Sequence, residues 1–391
     1  MKILHMCKYY PPFMGGMESF MDALAREQAS NGHDIMVLAH WHQTKRPTEN
    51  VQLLDNLSLI RVSIKGVLVH APMAPGMPGM LNKTLKNYKP DVVHVHMPNL
   101  SAFFLLWYKM LPRLVIHWHS DVVGSEHEYR LKLFYPVYRL FEKRLIQKSH
   151  AIIATSESYL KSSQALSDFQ NKCTVTPLGI SLEKMKELAY TSQDSEERQA
   201  LLKRLFNDFS GDTAFDFVLS VGRFTYYKGF KYLLEACRLG FNGRLIIVGD
   251  GPLWREINSL RLSLGLTGQV SMPGSLQDKE LHWLLYQCSA FCLPSIERTE
   301  AFGMVLLEAM YYKKPLITTR VAGSGMNEVN IHGQTGLVVS PASPHDLSRA
   351  MGYILSQKKE AERMGRNARE RLEKKFTISD VAHNLEQVYQ V

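Results

Sequence analysis

The carboxylates Glu300 and Glu308 are separated by seven residues, Ala-Phe-Gly and then an apolar run, that carry no charge. Upstream, Arg223 and Lys228 stand five apart in "SVGRFTYYKGF", with Gly222 and Gly229 beside them. A guanidinium can hold two phosphate oxygens at once and an ammonium supplies a compact charge, so this pair suits a diphosphate. Carboxylates accept hydrogen bonds from hydroxyl groups. A ligand with hydroxyls on both sides of its phosphates satisfies both sets, and a nucleotide sugar (ribose, diphosphate, hexose) is such a ligand.

Side chains so far apart in the chain need a frame that gathers them. The runs "KILHMC", "DIMVLAH", "LSLIRVSI", "DVVHVHM", "RLVIHWH", "HAIIATS" and "KCTVTPL" read as strands, with helical stretches such as "GMESFMDALAREQASNG" between them. The alternation restarts after residue 180 with "FDFVLSVG", "RLIIVGD", "QVSMPGS", "SAFCLPS", "PLITTRV" and "GLVVSP". Strands alternating with helices argue for parallel sheets, and 391 residues fit two domains. The expected fold class is α/β. Ligands of such sheets lie outside the carboxyl ends of the strands, so two facing domains would make a cleft. "APMAPGMPGM" (71–80) reads as a mobile loop.

The chemical candidates fall at strand ends. After the first strand, Gly15 and Gly16 in "KYYPPFMGGMES" precede a helix, which lets backbone amides and the positive helix end approach an anion, although paired glycines also make simple turns. Arg223 and Lys228 straddle the strand-to-helix turn that opens the second series. Gly249 and Gly251 in "IIVGDGP" lack the third glycine of a dinucleotide fingerprint, which speaks against a nicotinamide enzyme and for a tight turn near the ligand. Glu300 is expected to project from the turn between "SAFCLPS" and "GMVLLEAMYYKK", with Glu308 about one and a half helical turns after Gly303. The amides of Phe302, Gly303 and Met304 would then point at an anion bound at the helix start.

Composition bounds the remaining classes. With 45% hydrophobic and 21% charged residues, the chain has the makeup of a soluble globular protein. Residues 1–180 carry 20 Lys and Arg against 13 Asp and Glu, so most of the net charge of +9 lies in that half and favours an anionic partner, solubility being the plainer reason. Cys7, Cys173, Cys237, Cys288 and Cys292 have no paired or metal-like spacing and read as free thiols in a reducing compartment. The start "MKILHMC" lacks a signal-peptide pattern, and "LSAFFLLWYKML" falls short of the roughly 20 apolar residues that span a bilayer. A cytoplasmic protein is expected.

Together, "GRFTYYKG" and "EAFGMVLLEAM" after an N-terminal Gly-Gly loop, with "HSD" (119–121), "PLGI" (177–180) and "VGDGP" (248–252), make the chain resemble the retaining glycosyltransferases of family 4 over nearly its whole length. The resemblance implies the GT-B fold of two Rossmann-like domains: an acceptor domain at 1–180, a donor domain at 181–374, and a last helix at 375–391 packed back on the first. It implies that Arg223 and Lys228 bind the donor diphosphate and that Glu308 holds the ribose hydroxyls. Glu300 would hold sugar hydroxyls, with the amides from Ala301 to Met304 nearby. Gly16 would approach the phosphate and the acceptor, and His119 matches the family's active-site histidine. The implied reaction moves a hexose from a UDP- or GDP-linked donor with retention of configuration. Cations and helix-end amides would stabilise the leaving diphosphate, with no cofactor or metal required. Bacterial relatives with this pattern build lipopolysaccharide O-antigen, capsule or other surface glycans, so a glycan or a polyprenyl- or other lipid-linked acceptor is the implied partner.

Other features carry two readings. His94-x-His96 and His117-x-His119 each put two imidazoles on one strand face, as metal ligands would be, yet no further cluster at ligand spacing completes a site. A structural or substrate-contact role is expected there, with His119 the functional member. Glu18 either contacts donor or acceptor or simply suits the first turn of a helix. Asp121 either supports His119 or the acceptor or acts as a cap. In the stretch 126–150, Leu131, Phe134, Tyr138, Phe141 and Leu145 recur among basic residues, with Pro136 as a kink or a helix start. Core packing is expected for this stripe, with contact to the anionic inner membrane face as the alternative. Alternatives to sugar transfer are another GT-B enzyme such as a nucleotide-sugar epimerase, which would lack the Arg/Lys and paired-Glu set, or a basic lipid- or nucleic-acid-binding protein. No RNP-like or zinc-finger pattern supports nucleic acid as a partner.

Overall fold

The computed structural model describes residues 1–68, 71–122, 129–189, 200–201, 203–205 and 216–390. The chain forms two compact units, Met1–Gly179 with Ile378–Val391, and Ile180–Thr377.

The strands of the first unit are β1 (Lys2–Met6), β2 (Asp34–His40), β3 (Glu49–Leu54), β4 (Leu57–Val62), β5 (Gly66–Leu68), β6 (Ala71–Met73), β7 (Val92–Met97), β8 (Arg113–Trp118), β9 (Ala151–Ala154) and β10 (Cys173–Val175). Eight of them form one sheet in the order β10-β9-β8-β7-β1-β2-β4-β3, and β5 pairs with β6. Strand β7 is buried at every position and β1 and β2 nearly so, as their apolar spelling requires of strands covered on both faces. The sheet is not parallel throughout. Edge strand β3 runs antiparallel to β4 across the two-residue turn Asp55-Asn56, and its alternating burial leaves one face in solvent.

Helices α1 (Gly16–Ser30), α2 (Met77–Tyr88), α3 (Tyr129–Lys148) and α4 (Glu157–Ser162) join these strands. The expected loop at 71–80 is in fact strand β6 followed by the first turn of α2. Pro78 lies in that first turn, where the missing N–H has no helical partner to lose. Pro136 sits inside α3 rather than at its start. The apolar stripe of α3 divides: Leu145 is buried and Phe141 packs on Phe103, but Phe134 is 52% exposed and leaves the core. The start of the stripe, with Leu131, lies outside the described side chains. The C-terminal helix (Ile378–Gln390) lies along α1, where Gln28 donates to the Tyr389 hydroxyl at 3.1 Å and Asn31 to Glu386 at 3.0 Å.

The second unit holds β11 (Phe217–Val221), β12 (Arg244–Val248), β13 (Val270–Gly274), β14 (Ala290–Leu293), β15 (Leu316–Thr319) and β16 (Gly336–Val339). They form an entirely parallel sheet in the order β13-β12-β11-β14-β15-β16. Its helices include α5 (Leu182–Leu188), α6 (Phe230–Arg238), α7 (Trp254–Ser263), α8 (Asp278–Gln287) and α9 (Met304–Tyr311). The strand order reverses between β11 and β14, so the loops that follow these two strands are neighbours at the carboxyl end of the sheet. The corresponding reversal in the first unit falls between β1 and β7.

Candidate active site

The loop after β11 carries Arg223, which is exposed, and Lys228, which is 8% exposed. Three glycines shape it. Gly222 leaves room for the lysine stem, since a Cβ there would stand 3.1 Å from Lys228 Cε. Gly249, at φ +136°, lets the turn after β12 lie backbone-to-backbone against this loop, where a Cβ would come within 2.0 Å of the Gly222 carbonyl oxygen. Gly251 likewise faces the backbone of Phe224, whose amide donates to the Asp250 carbonyl at 3.0 Å. The G-x-G element therefore packs backbone-to-backbone against the cation loop.

Glu300 does not project freely. It is 9% exposed, and its Oε2 accepts from the Lys228 ammonium and from Ser295 Oγ, the latter at 3.1 Å. Burial by itself would lower the Lys228 pKa, but the Glu300 carboxylate, helped by Tyr227, outweighs it and holds the ammonium above the ordinary lysine range. A buried unpaired charge would be costly on either partner, and pairing satisfies both. The loop is further tied by Ser324, which donates to the Glu300 carbonyl, and by Gly325 N–H to the Ala301 carbonyl at 2.7 Å. Ala301 and Phe302 are buried, and Gly303 adopts φ +83° as the cap that turns the chain into α9. The amides of Met304 and Val305 open α9 without an i−4 helical partner, while the Leu306 amide donates to the Gly303 carbonyl at 2.8 Å. Glu308 lies one turn further along α9, half-buried, and its carboxyl is pushed up to about 7 by burial, with Asp278 adding and Lys184 opposing.

In the first unit, Gly15 is extended and caps α1, which begins at Gly16. A Cβ on Gly15 would meet Glu18 Oε2 at 2.3 Å: the carboxylate folds back over the glycine loop, 8% exposed, and burial raises its pKa. Asp121 ties the end of the strand to its neighbours. Its Oδ1 accepts from Trp118 Nε1 at 2.8 Å and Ser163 Oγ at 2.6 Å, while its amide donates to the Tyr159 hydroxyl at 2.6 Å, which fastens the end of β8 to α4. His119 packs edge-on to Phe20, and burial depresses its pKa to about 3, so the imidazole is neutral. Its Nε2 is 2.9 Å from His96 Nδ1, and its Nδ1 is buried without a partner.

The histidine pairs are not left incomplete. His5 stands in register with His94, and His96 with His117, so five imidazoles share one face of β1, β7 and β8. Sequence reading missed His5, Gln28 and Tyr389. The signal was there in the histidine of "KILHMC", but only strand order brings β1 beside β7.

Two family models match the chain, "Glycosyltransferase Family 4" over residues 14–184 and "Glycosyl transferases group 1" over 205–371. The chain is 30% identical to the O-antigen chain mannosyltransferase C of Escherichia coli, over 96% of this chain and 95% of that one. It is also 30% identical to the D-rhamnosyltransferase WbpZ of Pseudomonas aeruginosa, over 96% and 92%. Among solved structures it resembles the sucrose-phosphate synthase of Thermosynechococcus elongatus, with a TM-score of 0.81 and 22% identity over 100% and 98% of the chains. It resembles Anabaena HepE in complex with UDP and glucose, with a TM-score of 0.75 and 18% identity over 100% and 99%.

Proposed function

Since this chain belongs to the family 4 glycosyltransferases, with their GT-B fold, we propose that it transfers a hexose from a nucleoside diphosphate sugar, UDP- or GDP-linked, to a glycan or lipid-linked acceptor of a surface polysaccharide, with retention and without a metal at the reacting centre. The observation that carries this reading is the Lys228–Glu300 pair at the switch point of the second sheet, with exposed Arg223 on the same loop. An ammonium held protonated by its carboxylate partner and an exposed guanidinium would meet a leaving diphosphate as it gains charge, and the Met304 and Val305 amides at the start of α9 would add to them. No described hydrogen bond engages Glu300 Oε1, so that oxygen remains for a sugar hydroxyl while Oε2 holds Lys228. Neutral His119 offers a hydrogen bond without adding charge. A leaving phosphate oxygen can take the acceptor's proton, so no side-chain base is needed. O-antigen relatives support the polysaccharide setting, and the UDP complex of a structural neighbour supports the donor class.

Contact with an anionic membrane face belongs to the same proposal. Phe134, Val137 and Leu140 of α3 and Trp107 and Met110 nearby are all more than half exposed, with Lys109, Lys143 and Arg144 exposed among them. No helix among the described residues is long and apolar enough to cross a membrane. The deciding experiment is calorimetric titration with UDP, GDP, ADP, CMP and dTDP, followed by transfer assays with the matching sugars. Selective binding of one nucleoside diphosphate, with turnover of its sugar, is expected. Binding of none would end the transferase reading.

A further inference from the structure

We propose that His5, His94 and His96 bind one divalent transition-metal ion of the imidazole-preferring class, Zn²⁺ foremost, at a site in the first unit one hydrogen bond behind His119. Strand order and register place the three side chains on one sheet face, and a ring nitrogen of each lies within 4.8 Å of the others. His5 Nδ1 and His96 Nε2 are 3.2 Å apart. Two ligands of a tetrahedral ion with Zn–N bonds of about 2.0–2.1 Å are separated by about 3.4 Å, so this edge is already formed. All three rings are wholly buried, and His94 Nε2 has no partner at all. A buried polar nitrogen left so calls for a reason.

The opposite nitrogens are engaged as those of metal ligands usually are. His5 Nε2 is 2.7 Å from Gln28 Oε1, His94 Nδ1 is 2.6 Å from the Tyr389 hydroxyl, and His96 Nδ1 is 2.9 Å from His119 Nε2. Gln28 donates its amide N–H to Tyr389, so its oxygen must accept from His5 Nε2–H, which leaves the His5 Nδ1 lone pair for the ion. Burial keeps the three imidazoles neutral at physiological pH, the state in which they ligate. A second triad, His96, His117 and His119, shares one residue with the first. Neither nitrogen of His117 has a partner, so nothing orients that ring as a ligand. Three protein ligands leave the fourth position to water or a small anion.

Metal entry would replace the His5–His96 hydrogen bond. In the metal-free chain His96 Nε2–H donates to His5 Nδ1, and His119 Nε2–H donates to His96 Nδ1. Coordination of His96 Nε2 moves its proton to Nδ1, which now donates to His119 Nε2, and the His119 proton moves to Nδ1. These two tautomer shifts release no net proton, and His94 ligates through Nε2 with its own proton on Nδ1, donated to the Tyr389 hydroxyl. If the transferase reading holds, the ion thereby selects which His119 nitrogen can donate, although metal binding itself stands or falls without it.

The test uses untagged full-length protein, stripped with a chelator and reloaded with Co²⁺ or Zn²⁺. The visible d–d bands of four-coordinate Co²⁺ and retention of about one ion per chain through gel filtration are expected. His5→Gln and His94→Gln should each abolish the bands, and His117→Gln should keep them. Failure of the wild-type protein to retain either ion overturns the proposal even if the variants misfold. Loss in His117→Gln with retention in His5→Gln also overturns it, by moving the ion to the other triad.

Discussion

Replacing Glu308 by Gln should stabilise the protein, most at neutral pH and above. Burial lifts this carboxyl from the ordinary 4.5 to about 7. A group held more firmly as the acid in the folded state binds its proton more tightly there than in the unfolded chain, so stability falls as pH rises from about 4.5 to about 7. Above 7 the penalty is complete. The span corresponds to about 3 kcal/mol at ~1.4 kcal/mol per pH unit. Because the residue is only half-buried, solvent relaxation should leave roughly half of that, ~1.5 kcal/mol. Gln keeps the shape and removes the ionisation. For a unit of this size, at about 2–4 °C per kcal/mol, the variant should melt about 3–6 °C higher at pH 8. At pH 5 the gain should shrink to about a quarter of that. Differential scanning calorimetry at both pH values measures it. An equal gain at both, or a lower Tm at pH 8, would refute the argument. The same carboxyl predicts ligand behaviour. If ribose hydroxyls donate to it, nucleoside diphosphate affinity in the wild type should fall as pH drops through about 7, and Glu308→Gln should bind weakly with no such pH dependence.

Lys228→Ala should lower turnover by about 10²–10³-fold, as loss of a preorganised charge does, and near wild-type kcat would sink the assignment. It should also destabilise more than the double variant Lys228→Ala/Glu300→Gln, because the single change strands a buried carboxylate; urea midpoints decide this. Gly249→Ala places a Cβ 2.0 Å from a carbonyl oxygen at a left-handed φ and should cost at least about 2 kcal/mol, so an unchanged urea midpoint would contradict the packing described. Changing Phe134, Val137 and Leu140 together to Ser should abolish cosedimentation with anionic phosphatidylglycerol vesicles while melting stays near wild type. Undiminished cosedimentation would remove this face as the membrane contact.

What could be read from the sequence was whatever local spelling determines. Strands covered on both faces are spelled in apolar residues, so most of both sheets was visible. Strand β3, "ENVQLL", alternates with one wet face and is polar enough to pass for a loop. Helix α2 was hidden because Gly76 and Pro78 look like breakers, although a first turn tolerates both. The half-exposed stripe of α3 misled for a related reason: helical spacing reports that an apolar face exists, not that another layer covers it.

Pairings across the sheet could not be read locally, and they carry most of the chemistry. Lys228 and Glu300 are 72 residues apart, and the sequence assigned them to different parts of a ligand. Both are buried, and two isolated buried charges would each be driven toward neutrality. Adjacent strands β11 and β14 bring them together as an ion pair. On the proposed reading, a diphosphate entering beside Lys228 would meet an ammonium already protonated and aimed. What it must overcome is the competing attraction of Glu300. That competition would make Glu300 more than a sugar contact, because it would keep the cation ready between turnovers. Removing it should therefore weaken transition-state charge stabilisation as well as sugar recognition, and Glu300→Gln should lose kcat beyond what its KM predicts.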